Sequence, residues 1–230
     1  MSSSSEETSS QERGNDGPQR TRRRRKVAYG EGRDVLLSAI ARVVARDGLD
    51  GVTYRAVAAE AGVTHGLASY HFQTREAMVF EALAWATRHA IDASRLSLAN
   101  EDLAQFAAGV PALMAEAPEE AIFQYELALE AWRRPELAPY VQGLYEGYFE
   151  ATRQTLDQVG LTEDPVLARL VFAALDGLCM QQVIFGRPEQ TEEAIQLMQT
   201  VIRLLADQAA LGRDLTPTRQ AGTERPPPEG

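Results

Sequence analysis

A single cysteine, Cys179, stands in 230 residues. No intrachain disulfide can form, and nothing points to an oxidising compartment. Histidine is almost as scarce: His65, His71 and His89 share no metal-ligand spacing with one another or with Cys179, so no metal is expected. The chain has no P-loop, no Gly-rich phosphate cradle and no nucleophile elbow. Glu126 and Glu130 share a helix face, but a carboxylate pair of that kind more often serves a surface or a cap. The expectation is a protein that is not an enzyme and takes no cofactor. Long apolar runs are missing too: none approaches the ~20 residues of a membrane span, and the Ser-rich start lacks the apolar core of a secretory signal. A cytoplasmic protein with no membrane partner is expected.

Positive charge is in deficit overall, with a net charge of −10, which at first argues against nucleic acid. Its distribution reverses that inference. Residues 20–90 hold 12 Lys+Arg against 7 Asp+Glu, and the remainder from residue 91 holds 10 against 22. A basic head on an acidic body fits a DNA-binding unit joined to a separate ligand or dimer unit.

What is there centres on residues 53–72. Thr53 is placed to cap a short helix whose Val57, Ala58 and Ala61 recur at helical spacing. Gly62 tolerates positive φ and turns the chain; Val63 reads as a buried plug in the turn. Thr64 can cap a second helix over 65–71, only ~10 Å long and dependent on Ala68 and Phe72 for anchorage. Small-residue helix, Gly turn, short polar-faced helix is the helix-turn-helix pattern, whose second helix enters the major groove of DNA. An apolar-striped helix over 33–47 precedes it and another over 75–94 follows.

Residue types divide the expected labour. Thr53, Arg55, Ser69, Tyr70, His71 and Arg75 carry hydroxyl, imidazole or guanidinium groups suited to phosphate oxygens. Thr64, His65 and Leu67 belong to the helix's first turn, which meets base edges; Leu67 suits a thymine methyl, and Gly66 lets the backbone approach. Arg24, Arg25 and Lys26 end a basic run that can neutralise phosphates or reach a minor groove.

Over roughly residues 32–90 the chain resembles the N-terminal domain of TetR-family transcriptional regulators. The residues that carry the likeness are Ala41, Gly48, Thr53, Ala58, Ala61-Gly-Val-Thr64, Gly66, Tyr70-His-Phe72 and Thr74-Arg-Glu76. It departs in Ala68-Ser69, where the family often has Leu-Tyr, and in Arg75, where Lys is common. The segments 126–132 and 174–178 are similar, more weakly, to the BetI-like branch. The resemblance implies an all-α fold of about nine helices: a three-helix helix-turn-helix domain (31–78), then a ligand-binding and dimerisation domain (79–213). A disordered basic arm (1–30) and a disordered tail (214–230) flank them. It also implies a homodimer on a palindromic operator in double-stranded DNA, and a small-molecule effector whose binding releases the DNA. A helical scaffold without DNA binding, or an activator without an inducer, is the alternative.

Along the body, a helix over 102–117 is expected to kink at Pro111. Others are expected from Pro118 to about 132, from Pro135 or Pro139 to about 160, from Pro165 to 185 behind an Asp164 cap, and from Thr191 to about 211. The last two are apolar over more than one stripe, so they have a further partner. The resemblance makes that a second copy, through Leu167, Val171, Leu175, Leu178, Val201 and Leu205. Aromatic and long apolar side chains are plentiful enough to line a cavity. The candidates are Trp85, Phe106, Met114, Phe123, Tyr125, Trp132, Tyr145, Phe149, Phe172 and Met180, with Glu126 and Asp176 as polar members. Gln124, Gln181, Gln182 and Tyr148 lie among them. A carboxylate facing that cavity favours a cationic ligand.

Overall fold

The computed structural model describes residues 31–98, 102–161 and 165–214. Among them are nine α-helices and no strand: α1 (Glu31–Asp47), α2 (Tyr54–Glu60), α3 (His65–His71), α4 (Arg75–Ser94), α5 (Val110–Glu116), α6 (Pro118–Arg133), α7 (Ala138–Gln158), α8 (Pro165–Phe185) and α9 (Pro188–Asp214). Three 3-10 turns, Leu49–Gly51, Leu103–Gln105 and Pro135–Leu137, join them. Arg24, Arg25, Lys26, the Asp164 cap and the tail beyond Asp214 lie outside the described residues.

The head is built by threonine caps. The hydroxyls of Thr53, Thr64 and Thr74 accept from the N–H groups of Ala56, Leu67 and Ala77 at 3.1, 3.3 and 3.0 Å, each cap stabilising its helix by about 1 kcal/mol. α2 ends in a Schellman pair: Val63 N–H donates to Ala58 O and Gly62 N–H to Ala59 O, with Gly62 at φ 67°. Val63 itself is half-buried and packs against the edge of the head's core.

Packing does not stop at the head. One core runs from Leu36, Ile40, Val57, Ala68, Phe72 and Met78 into Phe123 and Leu127 of α6 and Leu144 of α7. A second fills the body between the far half of α4 and α5 to α9. α4 and α6 therefore carry side chains in the head's core at one end and in the body at the other.

Three expectations are corrected. Residues 102–117 are not one kinked helix. The chain breaks at Ala107, φ 58°, and Gly109, where an added Cβ would collide with the carbonyl of Ala93 on α4. Pro111 then sits in the first turn of α5, the position a helix accepts best. α9 opens at Pro188, not Thr191, for the same reason. The Thr191 hydroxyl is buried and reaches back to Arg187 O at 3.5 Å. Finally, α8 has the length and mean hydropathy of a membrane span, although Arg169, Asp176 and two glutamines interrupt it. Gln182 is buried and donates to Pro111 O at 2.7 Å, which ties α8 to α5.

Candidate nucleic-acid interface and interior cavity

α2 and α3 approach closely because Ala58 and Ala68 are what they bury between them. The Tyr54 hydroxyl donates to Phe72 O at 3.1 Å, and the Tyr54 and His65 rings meet edge-on at 6.0 Å. Arg42 and Arg46 of α1 both donate to Glu60 at 2.8 Å, and the Arg46 bond, then the Arg42 bond, holds that carboxyl below its usual range.

With its inner side anchored, α3 turns outward Thr64, His65, Gly66, Ser69 and Tyr70, the last 72% exposed. A Cβ built on Gly66 meets nothing within 4 Å, so the approach it permits is from outside. Ser69 donates to His65 O and Gly66 O at 3.2 Å. Thr53 and Arg55 are exposed beside α3, and His71 is half-buried. Leu67 is also half-buried and packs partly on the head's core, so it divides between inside and outside. Arg75 is placed differently from the expected phosphate contact. Its Nε donates to Val52 O at 2.8 Å and its Nη2 to Leu49 O, so the guanidinium braces the 3-10 turn before α2.

A cavity of about 70 Å³ lies between α4 and α8. Of the candidates, Met114, Tyr125, Tyr145, Phe172 and Asp176 line it. The others do not. Phe106 and Phe123 are wholly buried in the two cores, Trp132 is 88% exposed, and Met180 is exposed on α8. Glu126 faces solvent, Trp85 stacks on His89, and Phe149 lies under Arg169. Residue type alone does not say which side of a helix an aromatic takes.

The lining also includes Ser94, Glu120, Gln124, Tyr148 and Cys179. Helical spacing could have found most of them. Once Tyr125 and Asp176 face inward, one turn along gives Ala121 on α6 and Phe172 and Cys179 on α8, and one turn on from Ala121 gives Gln124.

Inside, the Tyr125 hydroxyl donates to Asp176 Oδ1 and to Asp176 O, each at 3.1 Å. The Tyr148 hydroxyl donates to Gln124 Oε1 at 2.8 Å. Tyr148 stacks on Phe172 with centroids 5.7 Å apart, and Tyr145 meets Phe172 edge-on at 5.9 Å. Glu120 pairs with His89 Nδ1 at 2.7 Å. Burial raises the Asp176 carboxyl above its ordinary value, and the Tyr125 bond offsets part of that. Burial likewise raises Tyr125, with the Asp176 charge adding to it, and pushes the Cys179 thiol up to about 12. Cys179 is therefore a neutral wall group, not a reactive thiolate. Among the described residues no group of three His, Cys, Asp or Glu could hold a metal ion.

The outer faces of α8 and α9 are apolar. Val166, Leu170 and Ile184 on α8 and Leu197, Val201, Leu204, Leu205 and Leu211 on α9 are exposed. On α8 this stripe is one position from the expected one. Val171 and Leu175 are buried, with Leu175 on the cavity wall, and Leu167 and Leu178 are half-buried. α9 keeps Val201 and Leu205 outward.

Comparison with known proteins gives the same architecture. Among solved structures, a TetR-family protein from Rhodococcus sp. superposes with a TM-score of 0.64 at 22% identity, covering 75% of this chain and 98% of its own. A TetR-family member from Streptomyces coelicolor A3 gives 0.58 at 29%, with coverage of 75% and 98%. The multidrug binding protein EbrR complexed with malachite green gives 0.51 at 28%, with coverage of 74% and 96%. No curated protein sequence matches the chain. Residues 36–82 match the model of the bacterial regulatory proteins of the tetR family, and residues 99–216 match the tetracyclin repressor-like C-terminal domain. Neither match carries the narrower BetI-like likeness. A capped helix-turn-helix head and a body that matches over half the chain leave one assignment: this chain belongs to the TetR family of transcriptional regulators.

Proposed function

We propose that the chain is a dimeric cytoplasmic repressor that binds a palindromic operator through residues 31–78. A small molecule entering the body, residues 79–213, releases it. The observation that carries this reading is the double duty of two helices. α4 lines the cavity with Ala90 and Ser94 and carries Met78 and Val79 in the head's core; α6 lines it with Glu120, Ala121, Gln124 and Tyr125 and carries Phe123 and Leu127 there.

Size supplies the coupling. A cavity of about 70 Å³ falls well short of the ~300–1,000 Å³ of drug-sized sites. An organic effector must push its walls apart, and two of those walls are anchored in the head. EbrR, which is similar over most of its length, binds malachite green, which supports the body as a small-molecule site. The outward stripes of α8 and α9 are where a second copy would pack, since a C₂ pair presents two heads to two half-sites.

Selection of bound duplex from the DNA around this gene is the test, followed by titration with candidate effectors. The reading requires salt-dependent, sequence-selective binding that weakens as the effector saturates. A protein that binds no duplex at low salt is instead a helical scaffold.

A further inference from the structure

The cavity has a sign. Glu120 and Asp176 line it, and none of its lining residues is Lys, Arg or His. The two carboxylates are not equivalent. Glu120 is already engaged by His89 Nδ1 at 2.7 Å. Asp176 has only the neutral Tyr125 hydroxyl and makes no salt bridge among the described residues. Around it stand the rings of Tyr125, Tyr145, Tyr148 and Phe172, whose faces carry the negative end of the ring quadrupole.

A partly desolvated carboxylate without a counter-charge is costly. An incoming cation supplies that counter-charge and gains from the rings at the same time. An incoming carboxylate or phosphate meets Asp176 and the ring faces with no basic group to receive it.

We infer that the cavity selects a compact organic monocation, an amine or quaternary ammonium with an apolar or aromatic body. Its charge sits between Asp176 and the surrounding tyrosine and phenylalanine rings, and anionic ligands are rejected. One charge is the right number, because Glu120 already has its partner. A compact body follows from a space of only about 70 Å³, far below a drug-sized site. The assignment rests on the cavity being the effector site proposed above, and it adds the class of molecule that enters.

Three molecules with one ring in common test it: benzylammonium, benzyl alcohol and benzoate, titrated calorimetrically into the full-length protein at neutral pH. Benzylammonium should bind about tenfold or more tighter than benzyl alcohol, and benzoate should not bind. Asp176→Asn, nearly isosteric, should remove most of the benzylammonium advantage while leaving benzyl alcohol within about twofold. Glu120→Gln should have the smaller effect, since His89 already occupies that side chain.

Benzoate binding as tightly as benzylammonium overturns the inference. So does an Asp176→Asn protein with undiminished benzylammonium affinity, or wild-type protein that takes up none of the three. A parallel operator titration separates this claim from the one beneath it. Asp176-dependent benzylammonium binding that leaves operator affinity unchanged keeps the cation site and removes the effector role. Release of the operator by benzoate keeps the effector role and removes the cation site.

Discussion

The hydroxyl of Tyr54, the first residue of α2, donates to the carbonyl of Phe72, the residue that ends α3, across 3.1 Å. One bond thus fixes the angle between the two helices of the motif. Tyr54→Phe keeps the ring and leaves that half-buried carbonyl without its donor. Stability should fall by about 1 kcal/mol, read from the urea midpoint, and operator affinity should fall with it. Unchanged stability with intact operator binding would mean that caps and core hold the motif without this bond.

Arg75 distinguishes a brace from a phosphate contact. Its guanidinium donates to the carbonyls of Val52 and Leu49 and lies 3.6 Å from the exposed carboxylate of Asp50. Arg75→Ala should cost about 1–2 kcal/mol of stability, discounted for partial exposure. The salt slope of DNA binding should stay as it was. A slope smaller by about one unit, with stability unaffected, would identify Arg75 as a phosphate contact.

The dimer prediction turns on the side of α8. Leu170 is exposed and Leu175 is buried on the cavity wall, five residues apart on one helix. Leu170→Glu and Val201→Glu should give folded monomers in a light-scattering measurement. Leu175→Glu should lower the melting temperature sharply, because it buries a charge without a partner. A monomeric wild type at micromolar concentration removes the proposed interface.

Asp176 sets a pH dependence whose sign can be worked out. Burial raises its carboxyl above the ordinary value, so the folded protein holds that proton more tightly than the unfolded chain. The group favours folding in acid, and the contribution is lost as pH climbs from the unfolded value through the folded one. Asp176→Asn cannot ionise, so its stability should gain on wild type between about pH 4 and about pH 7, read from urea midpoints. Tyr125, Tyr145 and Cys179, which share the cavity, are all raised further from this window. Glu60 acts oppositely, its depressed pKa making stability fall in acid, but it is common to both proteins and cancels. A constant offset across the range would contradict the argument.

The local signals in the sequence were strong where single residues decide geometry. Three threonine caps, the φ-positive Gly62 and the seven-residue span of α3 all follow from residues that act through their own backbone or one hydrogen bond. What was not legible depends on partners distant in the chain. Ala107 takes a left-handed φ with no Gly or Pro to announce it, and Gly109 is needed only because Ala93 of α4 passes beside it. Arg75 looks like any surface cation until the Leu49 and Val52 carbonyls are placed beside it. Trp132 and Tyr125 sit two turns apart on the same face of α6, yet one is in solvent and the other on the cavity wall, because Trp132 lies in the helix's last turn, beyond the cavity. Glu120 and His89, 31 residues apart, form a pair that no spacing rule would have singled out.

The central claim is that α3 reads DNA sequence with the residues it turns outward. It is tested by titrating wild type, His65→Ala and Tyr70→Ala against the selected operator and a scrambled duplex at one salt concentration. Both side chains are exposed, and neither holds the core. His65→Ala should therefore cost roughly 1–3 kcal/mol on the operator and far less on the scramble, while Tyr70→Ala weakens both duplexes together. Equal losses on both duplexes for His65→Ala, or none on either, would contradict the assignment of α3 as the recognition helix.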